Sequence, residues 1–330
     1  MRRKLPTFVL AVLVALATAL VTASVAGATN GGLTPVQPES PNAHHTVTAY
    51  WVIVGFTAAI FFLVEGLLVA FIWKYRSRGR GRAIEGPQVH GHSRLEVIWT
   101  VIPVLILCAI GIVVFFQLPK IDSAPASANP IHITVEGHQF YWQFDYPNKT
   151  RSINTLYVPA GRVVYLKVVA TDVIHSWWIP ALGGKIQAIP GKVNYTWFKA
   201  PPGTYEGQCA ELCGVYHASM TAHVVAESQP AYDAYIGAQA AATIGKQEWS
   251  GVCATCHGNL GQGGYGPNIA TNSLLVQVAG LEQILRNGFV GGTGAMPPVG
   301  DTWNSAQIQA LVAYVKKNVY KAAPAGGATQ

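Results

Sequence analysis

The sequence predicts a multidomain membrane protein: a two-helix transmembrane hairpin, then an antiparallel β-sandwich or barrel, then a small all-α domain. Three observations predict it. Two apolar runs of about 24 residues, Tyr50–Trp73 and Leu95–Leu118, are long enough to cross a hydrocarbon core of roughly 30 Å at 1.5 Å per residue. From Ile131 to about Ala226, short alternating runs such as IHITVEG, VVYLKVVA and TAHVVAE are broken by Pro and Gly turns, as in strands. From Gly245 to Lys321, helical stretches (LEQILRNGF, SAQIQALVAYVKKNVY) alternate with Gly- and Pro-rich loops.

In chain order, residues 1–28 read as a secretory signal: a charged start, an apolar core and the small-residue ending Ala26-Gly27-Ala28. A true first transmembrane helix is the other reading of that run. Residues 29–48 form the mature N-terminal tail, and 49–118 the hairpin with a basic loop at 74–94. Positive loops stay on the cytoplasmic side, so everything after Leu118 is expected on the outer, periplasmic face of a bacterial plasma membrane. A linker (119–130), the β domain (131–228), an Ala-rich helical connector (229–244), the α domain (245–322) and a disordered tail (323–330) follow.

Composition agrees with lipid contact: half the residues are hydrophobic and only 11% are charged. The net charge of +7 first suggests nucleic acid as a partner. Its distribution argues otherwise. Arg2, Arg3 and Lys4 supply +3, residues 73–96 another +4, and everything after 119 only +2. No basic face is left for nucleic acid.

Four of the five cysteines form two local pairs. Cys253-Ala-Thr-Cys256-His257 is the C-x-x-C-H pattern of covalent haem attachment, with His257 placed as the proximal iron ligand. A redox disulfide ahead of a chance histidine is the alternative. The Gly-rich loop and terminal helix favour a class I cytochrome c domain. Met296 in GAMPP is then the one methionine available as the sixth ligand, and thioether ligation raises the potential. The other pair lies in CAELCGVYHASM, which offers Cys209, Cys213, His217 and Met220 within twelve positions. A disulfide would leave His217 and Met220 unexplained, and Met is a poor zinc ligand. Soft sulfur and nitrogen donors point to copper, and a second thiolate points to two copper ions bridged by two sulfurs. His175 in VIHSWWIP is the candidate second imidazole. Cys108, inside the second apolar run, reads as a packing residue.

These residues resemble subunit II of haem–copper cytochrome c oxidases, in the caa-type form with a cytochrome c domain fused at the C-terminus. The resemblance covers nearly the whole mature chain, and CAELCGVYHASM is its most specific part. It implies a cupredoxin-like Greek-key barrel and a copper ligand set of His175, Cys209, Glu211 (through its carbonyl), Cys213, His217 and Met220. The Glu211 side chain becomes a candidate for a magnesium at the subunit I interface. LEVIWTVIP resembles the start of the family's second helix, which maps a proton-uptake role onto Glu96; a carboxylate favoured by the helix dipole is the bland alternative. Glu65, inside the first apolar run, receives no role from the resemblance.

Two departures stand out. The family's aromatic run begins with Trp where this chain has Phe140, ahead of Tyr141 and Trp142; these three are candidates for an electron path or for core packing. The family's KxDAIPG is here Lys185 to Gly191 with Gln187 in place of Asp, which weakens an acidic role near magnesium. His44, His45, His90, His92, His132, His138 and His223 read as solvated or packed rather than as ligands.

The function these readings imply is the electron-input subunit of a terminal oxidase. Electrons would pass from cytochrome c, or a membrane-bound cytochrome, through a covalent c haem and a dinuclear copper (CuA) centre to subunit I, beside subunit III. Oxygen reduction coupled to proton translocation belongs to subunit I, since the two membrane helices carry no His pair for a haem and no three-His copper site. A flexible tether would raise the local haem concentration to the order of mM. The alternatives are an electron-input subunit of a copper-containing nitric oxide reductase and a membrane-anchored carrier without an oxidase partner.

Overall fold

The computed structural model describes residues 34–76, 88, 90–127, 129–291 and 294–321. The expected signal segment 1–28, most of the basic loop and the tail 323–330 lie outside them.

Among the described residues two long helices come first. α1 spans Pro41–Tyr75 and α2 spans Ser93–Asp122, with mean hydropathies of 2.5 and 2.9 over their most apolar windows. Both are longer than the apolar runs. α1 begins at Pro41 because proline's fixed φ and missing N–H suit a first helical position. Thr46 and Thr48 then turn their hydroxyls back onto the carbonyls of Asn42 and His44, which satisfies these polar groups within the helix. Residues 41–48, expected as part of a tail, are therefore helix. At the start of α2, the Leu95 N–H donates to His92 Nδ1 and the His92 N–H donates to Glu96, a reciprocal cap. Its far end runs on to Asp122, so the expected linker is shortened. Both helices are apolar around their full circumference, as a lipid-facing helix is.

The β domain is a sandwich of two five-stranded sheets. The first orders β3 (Arg151–Ile153), β2 (Tyr141–Asp145), β1 (Ile131–His138), β5 (Val164–Ala170) and β8 (Asn194–Phe198). The second orders β4 (Thr155–Pro159), β10 (Thr221–Glu227), β9 (Gly203–Cys209), β6 (His175–Trp178) and β7 (Ile186–Ala188). Along β5 and β10 every second side chain is buried, the period that makes one face of each sheet apolar. Leu156, Val158, Leu166, Val168 and Val224 fill the space between the sheets. The sandwich is not purely antiparallel, as the sequence suggested: β1 runs parallel to β5, and β4 parallel to β10. Alternation of side chains is the same in either direction, so the pattern does not distinguish them.

A nearly continuous helical path leaves the sandwich. α3 (Gln229–Ala234) passes through a wider turn into α4 (Ala240–Glu248), and a second wide turn leads to α5 (Ala254–His257). α6 (Val278–Asn287), the short pair β11 (Phe289–Gly291) and β12 (Gly294–Met296), and α7 (Ser305–Asn318) complete the small domain. α7 starts at an Asn304–Gln307 capping box. α4 packs on α7, so the helical domain begins near Ala240 rather than at Gly245.

The two domains are docked, not loosely tethered. Arg151 on β3 donates to the Thr302 carbonyl (3.0 Å) and the Gln307 side chain while pairing with Asp145 at 2.8 Å. The Ile153 N–H donates to Gln247, and Tyr141 donates its hydroxyl to the Val299 carbonyl at 2.6 Å. Tyr141 and Ile153 belong to the apolar core of the helical domain, with Trp249, Trp303 and Leu311.

Glu248 is buried in this region. It accepts from Gln307 Nε2 at 3.1 Å, and its other oxygen has no hydrogen-bond partner among the described residues. Burial pushes its carboxyl up from 4.5 to about 9, against the pull of Gln307 and Arg151. The fold therefore holds Glu248 neutral where an unfolded chain would ionise it. Its contribution falls as pH rises from about 4.5 to about 9. Glu248→Gln is expected to stabilise the domain at pH 8 by on the order of 2 kcal/mol and to be neutral near pH 4, read as the thermal midpoint against pH. A pH-independent difference would show that Glu248 is not buried neutral.

Candidate metal centre and haem site

The copper-ligand candidates come from three places on the sandwich. His175 opens β6, Cys209 ends β9, and Cys213, His217 and Met220 lie in the loop between β9 and β10. The Cys209 N–H donates to the Met220 carbonyl, which closes the loop and brings its two ends side by side. The sulfurs of Cys209 and Cys213 are 4.0 Å apart and unbonded. His175 Nδ1 lies 3.9 Å from Cys209 Sγ, and His217 Nδ1 lies 3.6 Å from Cys213 Sγ. Met220 Sδ is 3.8 Å from Cys213 Sγ, and the Glu211 carbonyl is 3.2 Å from Cys209 Sγ. His175, Cys209, Cys213 and Met220 are buried. Each imidazole thus turns its Nδ1 toward a different thiol, and the six expected donors converge. Two thiolates, two imidazoles, a thioether and a carbonyl are a soft set that suits copper.

The surroundings orient that set. Asp172 accepts from His175 Nε2 at 2.9 Å, which leaves Nδ1 free to ligate. The same carboxylate accepts from the backbone N–H groups of Gln139 and Val173, both at 2.6 Å. Burial raises Asp172's proton affinity, but these three donors outweigh it and hold the carboxyl below its ordinary range. Burial likewise opposes a charged His175, yet Asp172 and Cys209 draw its pKa upward. Burial and the neighbouring Cys209 push the Cys213 thiol up to about 12. The Gln139 side chain also donates to the Cys213 carbonyl at 2.5 Å, so that the turn after β1 holds both halves of the site.

Asp172, Gln139 and Gly137 escaped sequence reading. A β-carbon on Gly137 would lie 2.9 Å from the His175 ring, so glycine is what lets that ring lie against β1. The three aromatic candidates go to different places. Phe140 packs beside the copper loop, 5.5 Å from the Tyr216 ring. Tyr141 faces Trp303 in the helical domain, and Trp142 sits in the sandwich 6.0 Å from the His175 ring. Gln187 donates to the Glu211 carboxylate at 3.3 Å. His138 is packed, stacked on Tyr141 and near Glu136 and Asp301, while His132 stacks on Tyr165. Glu65 lies on α1, and Glu96 lies in the first turn of α2.

In the helical domain, α5 carries Cys253 at its cap and Cys256 and His257 within it. His257 Nδ1 donates to the Pro267 carbonyl at 2.9 Å, which leaves Nε2 as the free ligand nitrogen. Met296 ends β12 and packs, with Cys253, against the domain's apolar core. Leu260 and Tyr265 follow the attachment motif, and Phe289 pairs in register with Met296; all three are exposed apolar side chains. A covalently attached, largely apolar macrocycle fits this arrangement of two thiols, an oriented imidazole, a thioether and uncovered apolar rims.

Comparison with known proteins bears on the same segments. Family models described as cytochrome c oxidase subunit II, transmembrane domain, and cytochrome c oxidase subunit II, periplasmic domain, match residues 28–117 and 150–228. One described as cytochrome c oxidase, cbb3-type, subunit III matches residues 240–315. A cytochrome c oxidase subunit 2 from Alkalihalophilus pseudofirmus is 32% identical over 309 residues, covering 86% of this chain and 90% of that protein. A quinol oxidase subunit 2 from Bacillus subtilis is 30% identical over 207 residues, covering 61% and 64%. Among solved structures, the periplasmic domain of subunit II of cytochrome oxidase from Bradyrhizobium japonicum is 33% identical, covering 34% of this chain and 94% of that one, with a TM-score of 0.33.

Proposed function

This chain belongs to the cytochrome c oxidase subunit II family, and from that membership we propose that it is a caa-type electron-input subunit that relays electrons through a copper site and its own haem. Membership makes it part of a haem–copper terminal oxidase, an oxidoreductase with subunit I as partner. Its β domain lies on the outer face of the membrane. The periplasmic family domain implies CuA copper and the cytochrome c domain implies haem c.

The observation that carries the residue-level reading is the gathering of both Nδ1 atoms and Met220 around the buried sulfur pair of Cys209 and Cys213, one imidazole to each sulfur. His175, Cys209, Glu211, Cys213, His217 and Met220 would hold the copper; Cys253, Cys256, His257 and Met296 would hold the haem. When bound, these groups supply reversible one-electron chemistry. The polypeptide orients the imidazoles through Asp172 and Pro267, shields the thiols from water and fixes the distance between the sites by docking the domains. A docked haem domain supports a one-electron cytochrome as donor. Glu96 is the proposed proton-uptake point, and subunit III a further partner. Magnesium gains no support: the Gln187 amide already donates to the Glu211 carboxylate, and among the described residues Glu211 joins no cluster of metal-binding side chains.

Two experiments follow. Oxygen uptake by the complex purified from native membranes should be cyanide-sensitive and show a-type beside c-type haem. An intact complex that consumes nitric oxide and not oxygen would favour the reductase reading. Met296→Ala should leave the haem attached but lower its midpoint potential, because a thioether favours reduced iron. An unchanged potential would remove Met296 from the ligand set.

A further inference from the structure

Tyr216 stands in the copper loop immediately before the proposed ligand His217, in the turn held by the His217 N–H to Gly214 carbonyl bond. Its ring meets two others. Phe140 lies edge-on at 5.5 Å on the side of the sandwich, and Tyr265 lies edge-on at 5.1 Å on the side of the helical domain. Both are favourable aromatic geometries. Tyr265 in turn belongs to the loop after the haem-attachment motif, where the Gly266 N–H donates to the Cys256 carbonyl at 2.8 Å.

The near side of this contact is built as carefully as the far side. Gly214 has φ +139, and a β-carbon there would lie 2.9 Å from the Phe140 ring, so the glycine lets that ring rest on the loop. Phe140 follows Gln139, which is bonded to Cys213 and Asp172. The three rings therefore run from residues that hold the copper loop to the loop that follows Cys256 and His257 and is bonded to the Cys256 carbonyl.

We propose that Tyr216 couples the two sites: held between Phe140 and Tyr265, it fixes the haem loop against the copper loop and supplies the connected path for an electron. This rests on the copper–haem reading above. A single electron crossing here breaks no bond and moves no proton, so the path needs contact rather than acid–base chemistry, and the ring matters more than its hydroxyl.

The test uses the full chain carrying both groups. After flash reduction of the haem, its reoxidation by copper is followed by transient absorption, with both potentials and the copper resonance recorded for each variant. Amide exchange over residues 258–266 is measured alongside. Tyr216→Ala should slow the transfer severalfold and loosen the 258–266 loop, with both potentials unchanged, while Tyr216→Phe should match the parent. Tyr265→Ala, outside the copper loop, should slow it likewise and decides the matter if Tyr216→Ala disturbs copper. Transfer at the parent rate in Tyr265→Ala, with loop exchange unchanged, overturns the proposal and leaves the copper–haem reading intact. A parent chain lacking either group overturns that reading itself, and this proposal with it.

Discussion

Gly137→Ala is expected to strip the copper site while leaving the haem in place. The added carbon would lie 2.9, 3.1 and 3.2 Å from three atoms of the His175 side chain. Neither partner has room to yield. Gly137 is on β1, bonded to β2 on one side and β5 on the other, and His175 is fully buried and tied to Asp172. Overpacking of this kind costs about 1–3 kcal/mol in stability. The larger effect falls on the ring: moving it breaks the alignment of Nδ1 with Cys209. Disturbing a ligand's support costs about 10–100-fold in metal affinity. Copper content after dialysis against a mild chelator, with the haem spectrum as internal control, checks this. Full copper retention would mean that His175 is not a ligand.

The second large effect is expected from Cys213→Ser. Cys213 Sγ is the hub of the site, within 4.0 Å of Cys209, 3.6 Å of His217 Nδ1 and 3.8 Å of Met220 Sδ. A serine oxygen is a hard donor that stays protonated at neutral pH, so it neither bridges nor holds soft copper. His217 and Met220 then lose their link to Cys209 and His175. The valence-delocalised copper resonance should vanish, while the haem spectrum, which depends on a separate apolar core, should persist. A delocalised pair surviving in this variant would remove the two-thiolate bridge.

Legibility in the sequence followed distance along the chain. Cys209, Cys213, His217 and Met220 share one loop, so their chemistry could be read as a single pattern, and C-x-x-C-H is equally compact. His175 was readable as a candidate imidazole at a strand end. Asp172, Gln139 and Gly137 were not, because each acts across the sandwich: the turn after β1 reaches Asp172 and the copper loop only once the sheets have closed. Tyr141 and Trp142 are adjacent on β2 and so face opposite sides, one toward the helical domain and one toward His175. An aromatic run cannot reveal which face another domain will cover. The docking itself was also hidden. Arg151, Gln247 and Gln307 look like ordinary surface residues in the sequence, yet they join β3 to α4 and α7. An Ala-rich connector reads as a tether until those bonds are seen.

The measurement that tests the central claim most directly is the metal content and low-temperature electron paramagnetic resonance of the purified full-length chain. Two copper ions for each haem iron, with a copper hyperfine pattern narrowed because one unpaired electron is shared over both nuclei, is the predicted result. One copper per chain with an ordinary single-ion splitting, or zinc in its place, would contradict it.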